Sequence, residues 1–185
     1  MKRPVIIGYG NPLREDDGLG WRAADLLASH PGLGDAEIIQ RHQLLPELAE
    51  DLAEAAVVLF MDAAVDLAPG EVCCDRLEVK EPKGGSHDFG PSQLLWLAQD
   101  LYDCLPTAYL IRGGVCKTDL GDQLSKVGCR CAEAMADAAI TLLDGLLIDV
   151  PDTAESERPS AVLRGRHQQI LAVLGELVSL RKVPR

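Results

Sequence analysis

Val57-Val58-Leu59-Phe60-Met61-Asp62 is five apolar residues in unbroken succession followed by an acid. A run without polar alternation suits a strand covered on both faces inside a parallel sheet, and it is expected to stop at Asp62. Immediately before it, Pro46 to Ala55 reads as a helix with Leu48, Leu52 and Ala55 on one face, and Ala36 to Gln40 reads as a strand. Further back, Leu19, Ala23, Leu26 and Leu27 recur at helical spacing until Pro31-Gly32, and Val5 to Ile7 is a β-branched run stopped by Gly8-Tyr9-Gly10-Asn11-Pro12. After it, Glu71 to Val79 reads as an edge strand and Pro91 to Tyr102 carries a stripe of Leu94, Leu95, Ala98 and Leu101. Thr107 to Ile111 reads as the last strand and Val127 to Ile148 as a long closing helix. Strands alternating with helices predict an α/β fold.

The 185 residues suffice for one domain with a full core, and 47% hydrophobic with 25% charged residues excludes wholesale disorder. A net charge of −11 repels phosphate backbones and anionic lipid, so neither nucleic acid nor a membrane surface is an expected partner. Ile140 to Val150 comes nearest to a membrane span but contains Asp144 and Asp149. Met1-Lys2-Arg3-Pro4 leads into only three apolar residues, too few for a secretory signal, which predicts a cytoplasmic protein whose six cysteines are thiols.

Pro151 to Pro159, rich in Pro, Ser, Thr and carboxylates, reads as a linker that divides residues 1–149 from a tail, 150–185. The tail has six basic against four acidic side chains, opposite in sign to the −13 of the body. Ile170, Leu171, Leu174, Leu177 and Val178 fall on one side of an amphipathic helix there, which covers either its own domain or another chain, so the oligomeric state stays open.

Between the first strand and first helix, Gly8-Tyr9-Gly10-Asn11-Pro12-Leu13-Arg14-Glu15-Asp16-Asp17-Gly18-Leu19-Gly20 combines glycines with three consecutive acids. A dinucleotide fingerprint fails because its third glycine falls on Leu13, and three carboxylates repel a pyrophosphate while favouring a cation. The plainer alternative is that Asp16 or Asp17 caps the first helix. Asp62 ends the third strand, and in a doubly wound sheet the carboxyl ends of strands one and three share the crevice where ligands bind, although strands also end in Asp because turns follow. His87, within Lys83-Gly84-Gly85-Ser86-His87-Asp88-Phe89-Gly90, is the one histidine in a glycine-rich loop. It is either solvated or the nitrogen donor that completes a two-carboxylate, one-imidazole set acceptable to first-row divalent metals.

The segment from Gly8 to Gly20, the strand ending Phe60-Met61-Asp62-Ala63, and Ser86-His87-Asp88-Phe89-Gly90 before a leucine-bearing helix occur in the order that resembles the hydrogenase maturation proteases. These are the endopeptidases that trim the carboxyl end of the nickel-iron hydrogenase large subunit. The resemblance covers roughly residues 4 to 148. It implies a three-layer sandwich with a mostly parallel, five-stranded twisted sheet between helices, to which the amphipathic C-terminal helix is added. It implies Asp17, Asp62 and His87 as metal ligands and catalytic residues, with Asp16 the alternative first ligand. Nickel is the implied metal and the large-subunit precursor the implied partner, trimmed once nickel is in place. The stretch Arg112-Gly113-Gly114-Val115-Cys116-Lys117-Thr118-Asp119 departs from the family pattern, and Cys116 within it is a possible extra contact to substrate.

Such a site either stores a divalent ion that polarises the scissile carbonyl and acidifies water, or offers vacant ligands to a nickel that the substrate delivers. Ser92, Ser125 and Ser160 lack a nucleophile elbow, and the cysteines include no Cys-x-x-Cys pair, so serine and cysteine protease readings do not compete. A second class remains: a nickel-dependent binding or assembly factor that docks on the large subunit without cutting it.

Overall fold

Five strands form one sheet: β1 (Arg3–Tyr9), β2 (Glu37–Arg41), β3 (Ala55–Ala64), β4 (Val72–Arg76) and β5 (Thr107–Gly114), in spatial order β2-β1-β3-β5-β4. All neighbours are parallel except β4, which runs antiparallel along the edge of β5. The helices are α1 (Leu19–Ala28), α2 (Leu48–Ala53), α3 (Pro91–Tyr102) and α4 (Lys126–Ile148). The structure, a computed structural model, describes residues 2–81 and 89–148; His87, the linker and the amphipathic tail lie outside the described residues.

The central run is apolar throughout because both of its faces are covered. Successive strand residues point to opposite sides, so Val58 and Phe60 join Val5 and Ile7 against Leu48 and Leu52 of α2 and Leu94, Leu95 and Ala98 of α3. Leu59 and Met61 point the other way, with Ile6, Tyr109 and Ile111, against Leu19, Ala23 and Leu27 of α1 and Cys131, Met135 and Leu142 of α4. Truncating a fully buried side chain such as Leu59 to alanine costs about 2–5 kcal/mol in a core of this kind. Among the described residues, no helix is long and apolar enough to cross a membrane.

The predicted three-layer α/β sandwich with a mostly parallel five-stranded sheet is the one observed. Several element ends differ, β1 running from Arg3 to Tyr9 and β4 only from Val72 to Arg76, and three further differences bear on the central strands. Ala55 leaves the predicted helix and opens β3 opposite Arg3, so α2 is confined to Leu48–Ala53. β3 does not stop at Asp62, because Asp62, Ala63 and Ala64 pair with Arg112, Gly113 and Gly114 of a β5 that outruns its predicted end at Ile111. β5 continues there because its glycines allow close packing: a Cβ on Gly113 would strike Met135 and Cys131, and one on Gly114 the Ala68 carbonyl. All six cysteines are free thiols, as expected.

Candidate active site

From β1 the chain crosses by α1 to β2 on one side, whereas β3 leads by α3 to β5 on the other, so the carboxyl ends of β1 and β3 flank the point where the crossovers diverge. Crevices at such points take ligands. Gly8 pairs with Met61, which sets Tyr9 and Asp62 at the next step of the ladder. The first turn of α1 lies directly on these strand ends: a Cβ on Gly20 would collide with the carbonyl oxygens of Met61 and Tyr9. Gly10 adopts φ +127°, outside the ordinary range of L side chains, and a Cβ there would meet the Asp17 carbonyl. The loop that carries the acids is thereby held close over β1.

Asp17 sits half-buried in a 3-10 turn, Glu15–Gly18, and its Oδ2 accepts the Asn11 N–H at 3.0 Å. Asp62, inside β3, accepts the N–H of Ala63 on Oδ1 at 2.8 Å and a hydrogen bond from the Tyr9 hydroxyl. Burial pushes the Asp62 carboxyl up to about 6, and the charge of neighbouring Asp17 pushes in the same direction. The hydrogen bonds from Tyr9 and Ala63 and the charge of Arg112 oppose the rise. Burial, and then the Asp62 charge, hold the Tyr9 phenol well above its ordinary range, so Tyr9 remains a donor. Arg112 stands opposite Asp62 in the β3–β5 ladder and reaches outward to Asp66 at 2.9 Å and Asp75 at 3.3 Å.

Asp17 and Asp62 are therefore brought together, while His87 lies outside the described residues. Among the described residues no group of three His, Cys, Asp or Glu side chains is placed to hold a metal ion. What the pair offers is two half-buried carboxylates at the switch point, an oxygen-donor set whose mutual repulsion a proton or a divalent cation relieves. The other described histidines are engaged elsewhere: His30 Nδ1 accepts the Gly32 N–H, and His42 packs on Trp21 with centroids 5.4 Å apart.

Asp16, the alternative first ligand, is fully buried and its bonding is taken up elsewhere: its oxygens accept from Cys116 N, Lys117 N, Ser125 N and Ser125 Oγ. Neither Asp16 nor Asp17 caps α1, whose N-cap residue is Gly18 without a side-chain hydrogen bond. Cys116 is exposed, with its N–H committed to Asp16. Sequence reading missed Tyr9 and Arg112. The available signal was register: both sit at the carboxyl ends of parallel strands adjacent to Asp62.

No protein-family model matches the sequence, nor does any curated protein. Solved structures do match. A hydrogenase 2 maturation peptidase from a Thaumarchaeota archaeon is 26% identical over 77% of this chain and 99% of its own, with TM-score 0.60. A NiFe hydrogenase maturation protease from Thermococcus kodakarensis is 22% identical over 77% of this chain and 93% of its own, with TM-score 0.62. A hydrogenase maturating endopeptidase from E. coli is 20% identical over 77% and 92%, with TM-score 0.62. The chain has the fold of the hydrogenase maturation proteases, with Asp17 and Asp62 at the switch point of its sheet.

Proposed function

We propose that this chain is a hydrogenase maturation endopeptidase, which removes a C-terminal extension from the large-subunit precursor of a nickel-iron hydrogenase in the cytoplasm. The observation that carries the reading is the meeting of two carboxylates, Asp17 and Asp62, at the β1–β3 switch point of a chain with this fold. In this reading Asp17, Asp62 and His87 are the ligands and catalytic residues, and the nickel they read arrives with the substrate. When bound, such an ion polarises a carbonyl and acidifies water. The protein's own groups do the rest. The Asn11 amide orients the Asp17 carboxylate, and the Tyr9 hydroxyl and Ala63 amide orient Asp62. Arg112, one strand further, favours the ionised form of Asp62. Nickel delivered by the substrate accounts directly for cutting that waits on nickel insertion, whereas a stored ion needs a separate gate.

The test is mass spectrometry of a nickel-loaded precursor after incubation with wild-type and Asp62→Asn protein. Wild type is expected to release a peptide, and the nearly isosteric variant to lose at least about 100-fold in rate. A precursor whose mass stays unchanged with wild type refutes proteolysis and leaves the assembly-factor reading. Wild-type protein stripped of metal is expected to retain its full rate; a rate restored only by added metal would favour a stored ion.

A further inference from the structure

Asp16 shares its turn with Asp17 but makes none of its contacts. The Asp16 carboxylate is 0% exposed and takes four donors: Ser125 N–H at 2.8 Å on Oδ1, and Cys116 N–H at 2.9 Å, Lys117 N–H at 3.1 Å and Ser125 Oγ at 2.8 Å on Oδ2. Ser125 Oγ in turn accepts the Gly128 N–H at 2.9 Å in the first turn of α4, so one carboxylate is tied through one hydroxyl to a helix N-terminus. Gly128 is the residue that permits it, since a Cβ there would occupy the position of Asp16 Oδ1.

The backbone around Asp16 is fastened to the same segment. Its own N–H donates to the Lys117 carbonyl at 3.1 Å, Glu15 N–H to Gly121 O at 3.0 Å, and Gly121 N–H to Leu13 O at 3.0 Å. The Arg14 guanidinium reaches Thr118 O at 3.0 and 3.2 Å. Glu15 holds a left-handed φ of 45°, a conformation that persists only where its surroundings enforce it. A buried charge is a poor choice if stability alone is wanted, because a well-packed apolar side chain usually serves as well or better. What this charge supplies is direction: four donors with fixed positions specify where the turn sits.

From this arrangement we infer that Asp16 is a positioning residue, which locks the Glu15–Gly18 turn to residues 116–125 and the start of α4 so that the Asp17 carboxylate is held on the Asn11 amide and over Asp62. The inference rests on the reading of Asp17 as a site residue. It also gives residues 116–121 a role: they anchor the acidic turn through the backbone bonds of Asp16, Glu15 and Gly121.

The test uses the full chain with Ser125→Ala, which removes the hydroxyl from the lock and leaves its three backbone donors, and Ser125→Thr, which restores a hydroxyl. Amide hydrogen exchange is read at Asn11, whose N–H bonds Asp17, and at Ile7 and Leu59 in the sheet. In Ser125→Ala the Asn11 amide is expected to exchange about tenfold faster with Ile7 and Leu59 unchanged, and Ser125→Thr to return it to the wild-type rate. On nickel-loaded precursor, kcat should fall about tenfold with KM unchanged. Faster exchange at Cys116 and Lys117 with Asn11 unaffected, or equal acceleration at all sites, overturns the inference, since a merely structural bond produces one or the other. If wild-type protein leaves the precursor uncut, the proteolytic reading falls, and Asn11 exchange still decides the lock.

Discussion

Asp16 is fully buried and Asp62 half-buried, and the two carboxylates are treated in opposite ways. Asp16 receives four donors and the N-terminal end of α4, a full replacement for its lost hydration. Asp62 receives one amide and one phenol and has a second acid as neighbour, so its burial is left uncompensated and its carboxyl rises to about 6. The contrast separates a charge that builds a structure from one kept available. Under-solvated carboxylates in clefts are where proton and cation chemistry concentrates.

The comparison breaks most visibly at Asp16. Asp16→Ala strands three backbone amides and a hydroxyl in the interior, each costing about 1–3 kcal/mol, and a loss of about 4 kcal/mol overall is expected by urea denaturation. Against a typical net stability of about 5–15 kcal/mol that is a severe defect, with loosening expected first between residues 116 and 128. A variant as stable as wild type would mean that the four donors find other partners and that the buried charge organises nothing.

Asp62→Asn should have the reverse sign. A carboxyl whose folded pKa stands above its unfolded value of about 4 favours folding below pH 4, and this contribution is lost as pH rises through about 6. At pH 8 wild-type protein therefore bears the cost of an ionised, partly desolvated Asp62, and the neutral amide removes it. The variant is expected to be more stable than wild type by about 1–2 kcal/mol at pH 8, with the difference vanishing near pH 4. Thermal unfolding across that range checks it; a variant less stable at pH 8 than at pH 4, relative to wild type, contradicts the account of Asp62 as under-compensated. Activity and stability would then oppose each other at one residue, as expected where a site is held strained.

How much of this was legible in the sequence follows the range of the interactions. The unbroken run Val57 to Met61 announced a central strand because burial on both faces is written locally, and the helix over Pro91 to Tyr102 followed from its own period and its proline start. One strand ending in Asp62 and another emptying into a glycine-bearing loop with three acids pointed to the crevice for the same local reason. The continuation of β3 past Asp62 was not legible, since it depends on pairing with Arg112 to Gly114, fifty residues downstream. The choice between Asp16 and Asp17 was equally hidden. The donors that claim Asp16 lie 100 to 109 residues away, in a segment with no pattern of its own. Tyr9 reads as part of the turn that stops Val5 to Ile7, until the structure extends β1 through it and register places it beside Asp62.

The smallest effect belongs to a carboxylate that water still covers. Asp66 meets Arg112 at 2.9 and 3.2 Å, the shortest ion pair around the site, yet its side chain is 64% exposed. Arg112 holds the Asp66 carboxyl below the usual range, so whatever the pair contributes is present above that range and lost on acidification. Solvent and salt screen it, and Arg112 retains Asp75 at 3.3 Å when Asp66 is neutralised. Asp66→Asn is expected to shift the melting temperature by less than about 1 °C, and by nothing measurable in about 0.5 M salt. Distance alone would rank this contact with those of Asp16, since both lie near 2.9 Å. If Asp66→Asn proved as damaging as Asp16→Ala, bond length would be the quantity that matters, and the distinction between donors that replace water and donors that merely compete with it would fail for this molecule.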